Sequence, residues 1–268
     1  MTRLKHCLGA VAVLSVSPIV SADNSSTPQD PKTDGFTLSK GALSVDASLE
    51  MNLSSAAAFK PTSLSPDLWY GVSDDLTVGL VHSGTGRTGF IGVVGDSLCL
   101  TGTSNGCRHV YNNVGIDARI RISRPWAVDA GLYVNSISDP FQLAGKLGIS
   151  GRWVWGKMSL EATPDIFIGF TNREPNSMTG AATNTETLFV PATLSYLAAD
   201  RIGLAIQMGL VLPFTDTSDT WSVPLSFAAK YAATPKFGLG LAFTFPRLIA
   251  NNGTADARSI TLGGSYAF

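Results

Sequence analysis

Leu43-Ser44-Val45-Asp46-Ala47-Ser48-Leu49-Glu50-Met51-Asn52-Leu53 alternates apolar and polar side chains without a break. An extended chain sends successive side chains to opposite faces, so this stretch reads as a strand with one apolar and one polar face. The same period returns in Val114, Ile116, Ala118, Ile120 and Ile122, set against Asn113, Asp117, Arg119 and Arg121, and again in Ile202, Leu204, Ile206, Met208, Leu210 and Leu212. Twelve such runs are expected, at 42–53, 61–72, 76–83, 110–122, 126–136, 141–153, 157–170, 187–198, 202–212, 221–231, 237–245 and 257–268. Most have the length of a tilted strand that crosses a bilayer.

The connections alternate as well. Ser73-Asp74-Asp75, Ser123-Arg124-Pro125, Val154-Trp155-Gly156, Ala199-Asp200-Arg201 and Thr234-Pro235-Lys236 are tight, and most of those between them are longer. Short periplasmic turns and longer external loops give this pattern, and an even strand number puts both termini on the periplasmic side. A soluble β-sandwich would also alternate, so the position of the aromatic residues discriminates. With strand directions alternating, Tyr70, Trp126, Trp153, Tyr196, Tyr231, Phe237, Tyr266 and Phe268 fall at the turn end of the outward face, and Phe141, Phe170, Trp221 and Phe245 at the loop end. Two aromatic girdles around an aliphatic band suit a membrane barrel, because amphipathic rings settle at the headgroup level. The expected fold class is therefore all-β: a transmembrane antiparallel up-and-down β-barrel of about 12 strands.

Residues 1–22 carry Arg3 and Lys5, an apolar run from Leu8 to Val20 and the small-residue ending Val20-Ser21-Ala22, the pattern of a cleavable signal peptide. Residues 23–40 are mostly Ser, Thr, Asn, Asp, Pro and Gln, which fits a disordered periplasmic tether or a plug folded into the lumen. The barrel takes 41–268. No other stretch approaches 18 uninterrupted apolar residues, so helical spans are excluded. Charged residues make up 15% of the chain and the net charge is -1, which argues against nucleic acid as a partner. Cys7 leaves with the leader, while Cys99 and Cys107 lie in an exported Gly/Ser/Thr/Asn-rich segment and read as a disulfide closing a small loop. The competing reading, half of a metal site, has only His109 nearby. No cofactor motif is present.

The ending Ser259-Ile260-Thr261-Leu262-Gly263-Gly264-Ser265-Tyr266-Ala267-Phe268 resembles the terminal strand of bacterial outer-membrane proteins. Pro66-Asp67-Leu68-Trp69-Tyr70-Gly71-Val72-Ser73-Asp74-Asp75-Leu76 is similar to a strand-turn-strand of porin-like barrels. The first resemblance implies that the barrel-assembly machinery reads the C-terminal strand, and both imply residence in the bacterial outer membrane among its lipids.

Twelve strands spaced about 4.8 Å apart and tilted about 40° give a backbone radius of about 12 Å, leaving a lumen on the order of 10 Å wide. That suits small hydrophilic solutes. Alternation turns the acidic Asp46, Glu50, Asp67, Asp117, Asp129, Glu161 and Asp165 and the basic Arg119, Arg121, Lys146, Arg152 and Lys230 inward. These are the candidate pore-lining residues, with Arg119 and Arg121 expected to pair with Asp117 and Asp129. Later strands present small inward residues such as Thr193, Ser195, Gly203, Ala205, Ser226, Gly238, Gly240, Ala242 and Thr261, which would leave an off-centre water path. The expected function is passive diffusion of small solutes, with lumen charges setting ion preference. The alternatives are a salt-bridged, filled barrel acting through external loops, with 84–109 and 171–186 as the recognition surfaces, and a lipid hydrolase built on His82 and Ser83. The last lacks a visible third partner.

Overall fold

The protein, seen in a computed structural model, is described for residues 36–54, 57–92, 97–107, 109–137, 141–173, 184–214, 220–250 and 256–268. Its strands are β1 (Leu43–Asn52), β2 (Thr62–Ser73), β3 (Leu76–Val81), β4 (Leu98–Cys99), β5 (Val114–Ser123), β6 (Trp126–Ser136), β7 (Gln142–Trp155), β8 (Met158–Ala162), β9 (Asp165–Gly169), β10 (Thr187–Ala199), β11 (Ile202–Pro213), β12 (Ser222–Ala232), β13 (Phe237–Ala250) and β14 (Ser259–Ala267). Antiparallel pairing runs round the series, and β14 returns to β1 to close the ring. The expected leader at 1–22 and most of the 23–40 segment lie outside the described residues. Residues 37–40 run beside the β2–β3 turn, where Thr37 Oγ1 donates to the Asp74 carbonyl at 2.7 Å.

Fourteen strand segments make twelve wall strands because two of those strands are interrupted. β8 and β9 both lie between β7 and β10. Their break falls at Thr163-Pro164, where proline has no N–H to give the ladder. The sidedness survives, since Glu161 and Asp165 are both buried. The run expected at 157–170 is thus one wall strand in two pieces.

The second interruption matters more. β3 pairs with β2 as far as Leu68–Leu80 and with β5 as far as Val81–Gly115, then stops. Continuing that register would place residue 84 opposite Leu64, but Leu98 occupies the position instead, with Cys99 opposite Ser63. On its other side Leu98 bridges Tyr111, and Asn112 continues the contact by accepting the Ile137 N–H beside β6 at 3.1 Å. β4 therefore completes the wall strand that β3 begins. The chain leaves the wall at His82 and rejoins it at Ser97.

This corrects two expectations. The third run ends at Val81 rather than 83, and 84–109 is not simply an external loop. The expected start of the next strand at 110 becomes Val114, with 110–112 serving as its partner-bridging approach. β13 likewise runs further than expected, to Ala250 rather than 245.

The two faces have opposite character. Ile116, Leu132, Leu147, Leu204, Leu241 and Leu262 are exposed on the outer face, a continuous apolar band of a size that water does not tolerate and acyl chains do. Tyr70, Trp126, Tyr196, Tyr231, Tyr266 and Phe268 are exposed at the turn end, and Phe141 and Phe170 at the loop end. Trp155 belongs with the turn-end rings and closes β7 instead of lying in a turn.

Candidate functional site: a lumen crossed by its own wall strand

The inward face of β1 carries Ser44, Asp46, Ser48 and Glu50, all buried. Asp67, Asp117, Asp129, Lys146, Arg152, Glu161, Asp165 and Lys230 are buried likewise, and Arg119 is partly so. Most of these charges concentrate on β5 to β9, where they pair across strands. Arg119 Nε donates to Asp129, and Ser150 donates to the other oxygen of the same carboxylate. Lys146 Nζ donates to Asp117, which also accepts the Tyr133 hydroxyl at 2.9 Å. Arg152 stands opposite Glu161 in the β7–β8 register. Lys230 and Asp67 both act electrostatically on Asp46, and the Lys230 stem passes over Gly238, where a Cβ would lie 3.3 Å from it.

Of the pairs expected from sequence, Arg119 with Asp129 forms and Arg121 does not join them. Arg121 lies at the turn end of β5 and reaches Asp75 of the β2–β3 turn, Nε to Oδ1 at 2.8 Å. Its position one turn-ward step beyond Arg119 brings it closer to the neighbouring turn than to the mid-wall carboxylates.

Asp67 has a different task. Its carboxylate accepts the His82 N–H at 2.7 Å, the Ser83 N–H at 2.9 Å and the Ser83 hydroxyl at 2.5 Å. These three bonds hold the chain where it turns from wall to lumen. Ser83 then caps the short helix α1 (Gly84–Thr88) by accepting the Gly86 N–H. Beyond it, Phe90, Ile91 and Gly92 reach the opposite wall.

The opposite wall is where the small inward residues lie. Ile91 packs against Ala228 and Ala242, with Ala205 beside them. Gln207 clamps the segment: its Oε1 accepts the Ile91 N–H at 2.9 Å, and its Nε2 donates to the Gly89 carbonyl at 2.8 Å and to Thr193 at 3.0 Å. Ser259 donates to the Gly92 carbonyl at 2.8 Å. Gly92 has a φ of +84°, and any Cβ there would come within 2.6 Å of Thr244, so both backbone and space require glycine. Gln207 is on β11, six wall strands from β3 in either direction round the ring. The segment thus spans the lumen. The off-centre path expected along the small residues is filled by this segment at its level, because small side chains leave room for backbone as readily as for water.

A row of interior rings supports the crossing. Tyr133 and Phe167 lie 5.4 Å apart, Phe167 and Phe189 5.4 Å, and Phe189 and Phe90 6.5 Å. Trp69 packs on the same cluster. Tyr133 fits because Gly115 and Gly131 are bare: a Cβ on Gly115 would sit 2.2 Å from its ring. Trp69, Tyr133, Phe167 and Phe189 all occupy inward parity in the sequence, so alternation carries that signal even though attention to charge passes over it.

His82 and Ser83 do not meet as a catalytic pair. The His82 ring contacts the Pro66 carbonyl at 2.6 Å and the Tyr111 hydroxyl at 2.9 Å, both on outward-facing residues. The Ser83 hydroxyl points to Asp67 on the inner face. Cys99 and Cys107 are bonded to each other, with Cα atoms 6.2 Å apart, so neither is a thiolate ligand. Of the second surface expected at 171–186, residues 174–183 lie outside the described residues.

No model of a known protein family matches the chain, and no curated protein matches it in sequence. Solved structures do match in fold. A KdgM porin superposes with a TM-score of 0.50 at 9% identity, covering 84% of this chain and 99% of that one. A KdgM porin in complex with disordered oligogalacturonate gives 0.52 at 10%, with the same coverage. A structure described as a bacterial polysaccharide outer membrane secretin gives 0.51 at 10%, covering 86% and 99%. The fold is that of a porin-like outer-membrane β-barrel.

Proposed function

We propose that the protein is an outer-membrane channel for passive diffusion of small hydrophilic solutes, narrowed at mid-height by the segment that leaves its third wall strand. The observation that carries this reading is the combination of an apolar exterior with a polar, charged interior crossed at one level. Asp46, Glu50, Asp67, Asp117, Arg119, Arg121, Asp129, Lys146, Arg152, Glu161, Asp165 and Lys230 line the interior, and solutes pass beside the crossing segment. One of the fold neighbours was solved with oligogalacturonate, a polyanion. For this chain we favour small solutes over acidic oligosaccharides, because Arg119, Arg121, Lys146 and Arg152 each face a carboxylate and Lys230 lies in the field of Asp46. The terminal strand ending in Phe268 would serve the barrel-assembly machinery, and the outer band would meet the lipids.

The burial of the inward charges favours a second reading, an occluded barrel that works through its outer loops. The test is planar-bilayer recording on protein extracted in detergent from the outer membrane of an expressing bacterium. Discrete conductance steps support the channel. A correctly folded but silent barrel replaces it with the occluded reading.

A further inference from the structure

The Cys99–Cys107 segment lies at the loop end, where a disulfide-closed hairpin would ordinarily be read as an exposed epitope. Its pairing gives it another place. Leu98 stands opposite Leu64, which stands opposite Leu49, which stands opposite Leu262, which stands opposite Leu241. That is one unbroken rung of outward apolar side chains continuing the membrane band into the hairpin. Leu100 follows two residues later on the same face, its N–H bonded to the Thr62 carbonyl at 2.9 Å. Tyr111, opposite Leu98, points the same way and closes against His82, ring centroids 5.9 Å apart. Leu98, Leu100 and Tyr111 are all exposed. Cys99, between the two leucines, is buried on the inner side opposite Ser63.

We propose that this hairpin is a lipid-contacting patch of the barrel wall, facing acyl chains at the outer rim of the band, and that its disulfide holds it in the gap that β3 leaves open. The occupant is lipid because the patch continues the band along one rung and shares its side-chain chemistry. Without the patch, the inner face beside β2 would open sideways to the bilayer at Ser63 and Ser65. The disulfide joins the replacement strand to the far arm of its own hairpin, so it resists that opening. This proposal does not depend on the barrel conducting.

The test is photolabelling of the outer-membrane-extracted protein in phosphatidylcholine vesicles carrying a diazirine in mid-acyl chain, with labelled residues mapped by mass spectrometry. Labelling of Leu98, Leu100 or Tyr111 within about threefold of Ile116 and Leu132 is expected. Labelling of Ile116 and Leu132 with less than a tenth of that level across 98–111 would overturn the proposal. A Cys99→Ser/Cys107→Ser variant adds a second reading: acyl-chain label should then also reach the inward residues Ser63 and Ser65, and their continued protection in a folded barrel would contradict the sealing role.

Discussion

Lys146 and Asp117 show what holds the interior together. Both are buried, each takes the other's charge, and Asp117 is further satisfied by Tyr133. Removing one partner leaves a buried charge without its counterion, which costs about 3–5 kcal/mol, whereas removing both charges together is far less damaging. Lys146→Met should lower barrel stability by about that much in urea titration in lipid vesicles, and adding Asp117→Asn should recover most of the loss. Gly115 tests packing: Gly115→Leu pushes into the Tyr133 ring and should destabilise the barrel by about 1–3 kcal/mol in the same assay. Which residues point inward was legible from alternation alone, because side-chain direction on a strand follows position. Which charges pair was less so. Arg119 found Asp129 directly across the β5–β6 ladder, but Arg121 found Asp75 on a turn whose height no local pattern reports.

At the level of elements, the third strand separates what sequence could and could not give. The run 76–81 alternates and was readable, as was the turn before it. That two residues at 98–99 resume the same strand was not, because a two-residue segment has no periodicity and its partners lie far earlier in the chain, Ser63 opposite Cys99 and Leu64 opposite Leu98. The small residues of β11 to β14 were visible, but they are equally compatible with water and with an inserted segment. Gln207, the clamp, carried no warning beyond a polar residue at inward parity. Gln207→Ala removes the side chain that holds Ile91 and Gly89, so the crossing segment should move more freely. Single-channel traces should then gain frequent transitions to larger sublevels, whereas an unchanged, steady level would show that Ser259 and the apolar contacts suffice.

For the molecule as a whole, strand number, closure and the lipid-facing band follow from repeated alternation, the girdles and the chain ending, each a short-range signal repeated many times. The crossing segment depends on contacts between residues far apart in the chain, such as Ser259 with Gly92, and no such contact is written locally. Its placement within one wall strand allows an unusually clean intervention. Deleting residues 84–97 joins Ser83 to Leu98 in nearly the register the wall already has, so the barrel can close without the segment. The decisive measurement is therefore the single-channel conductance of this deletion beside that of the intact protein, both extracted from the outer membrane. A folded deletion barrel whose conductance rises severalfold is expected if the segment narrows an aqueous path; a folded deletion barrel with unchanged or absent conductance would contradict it.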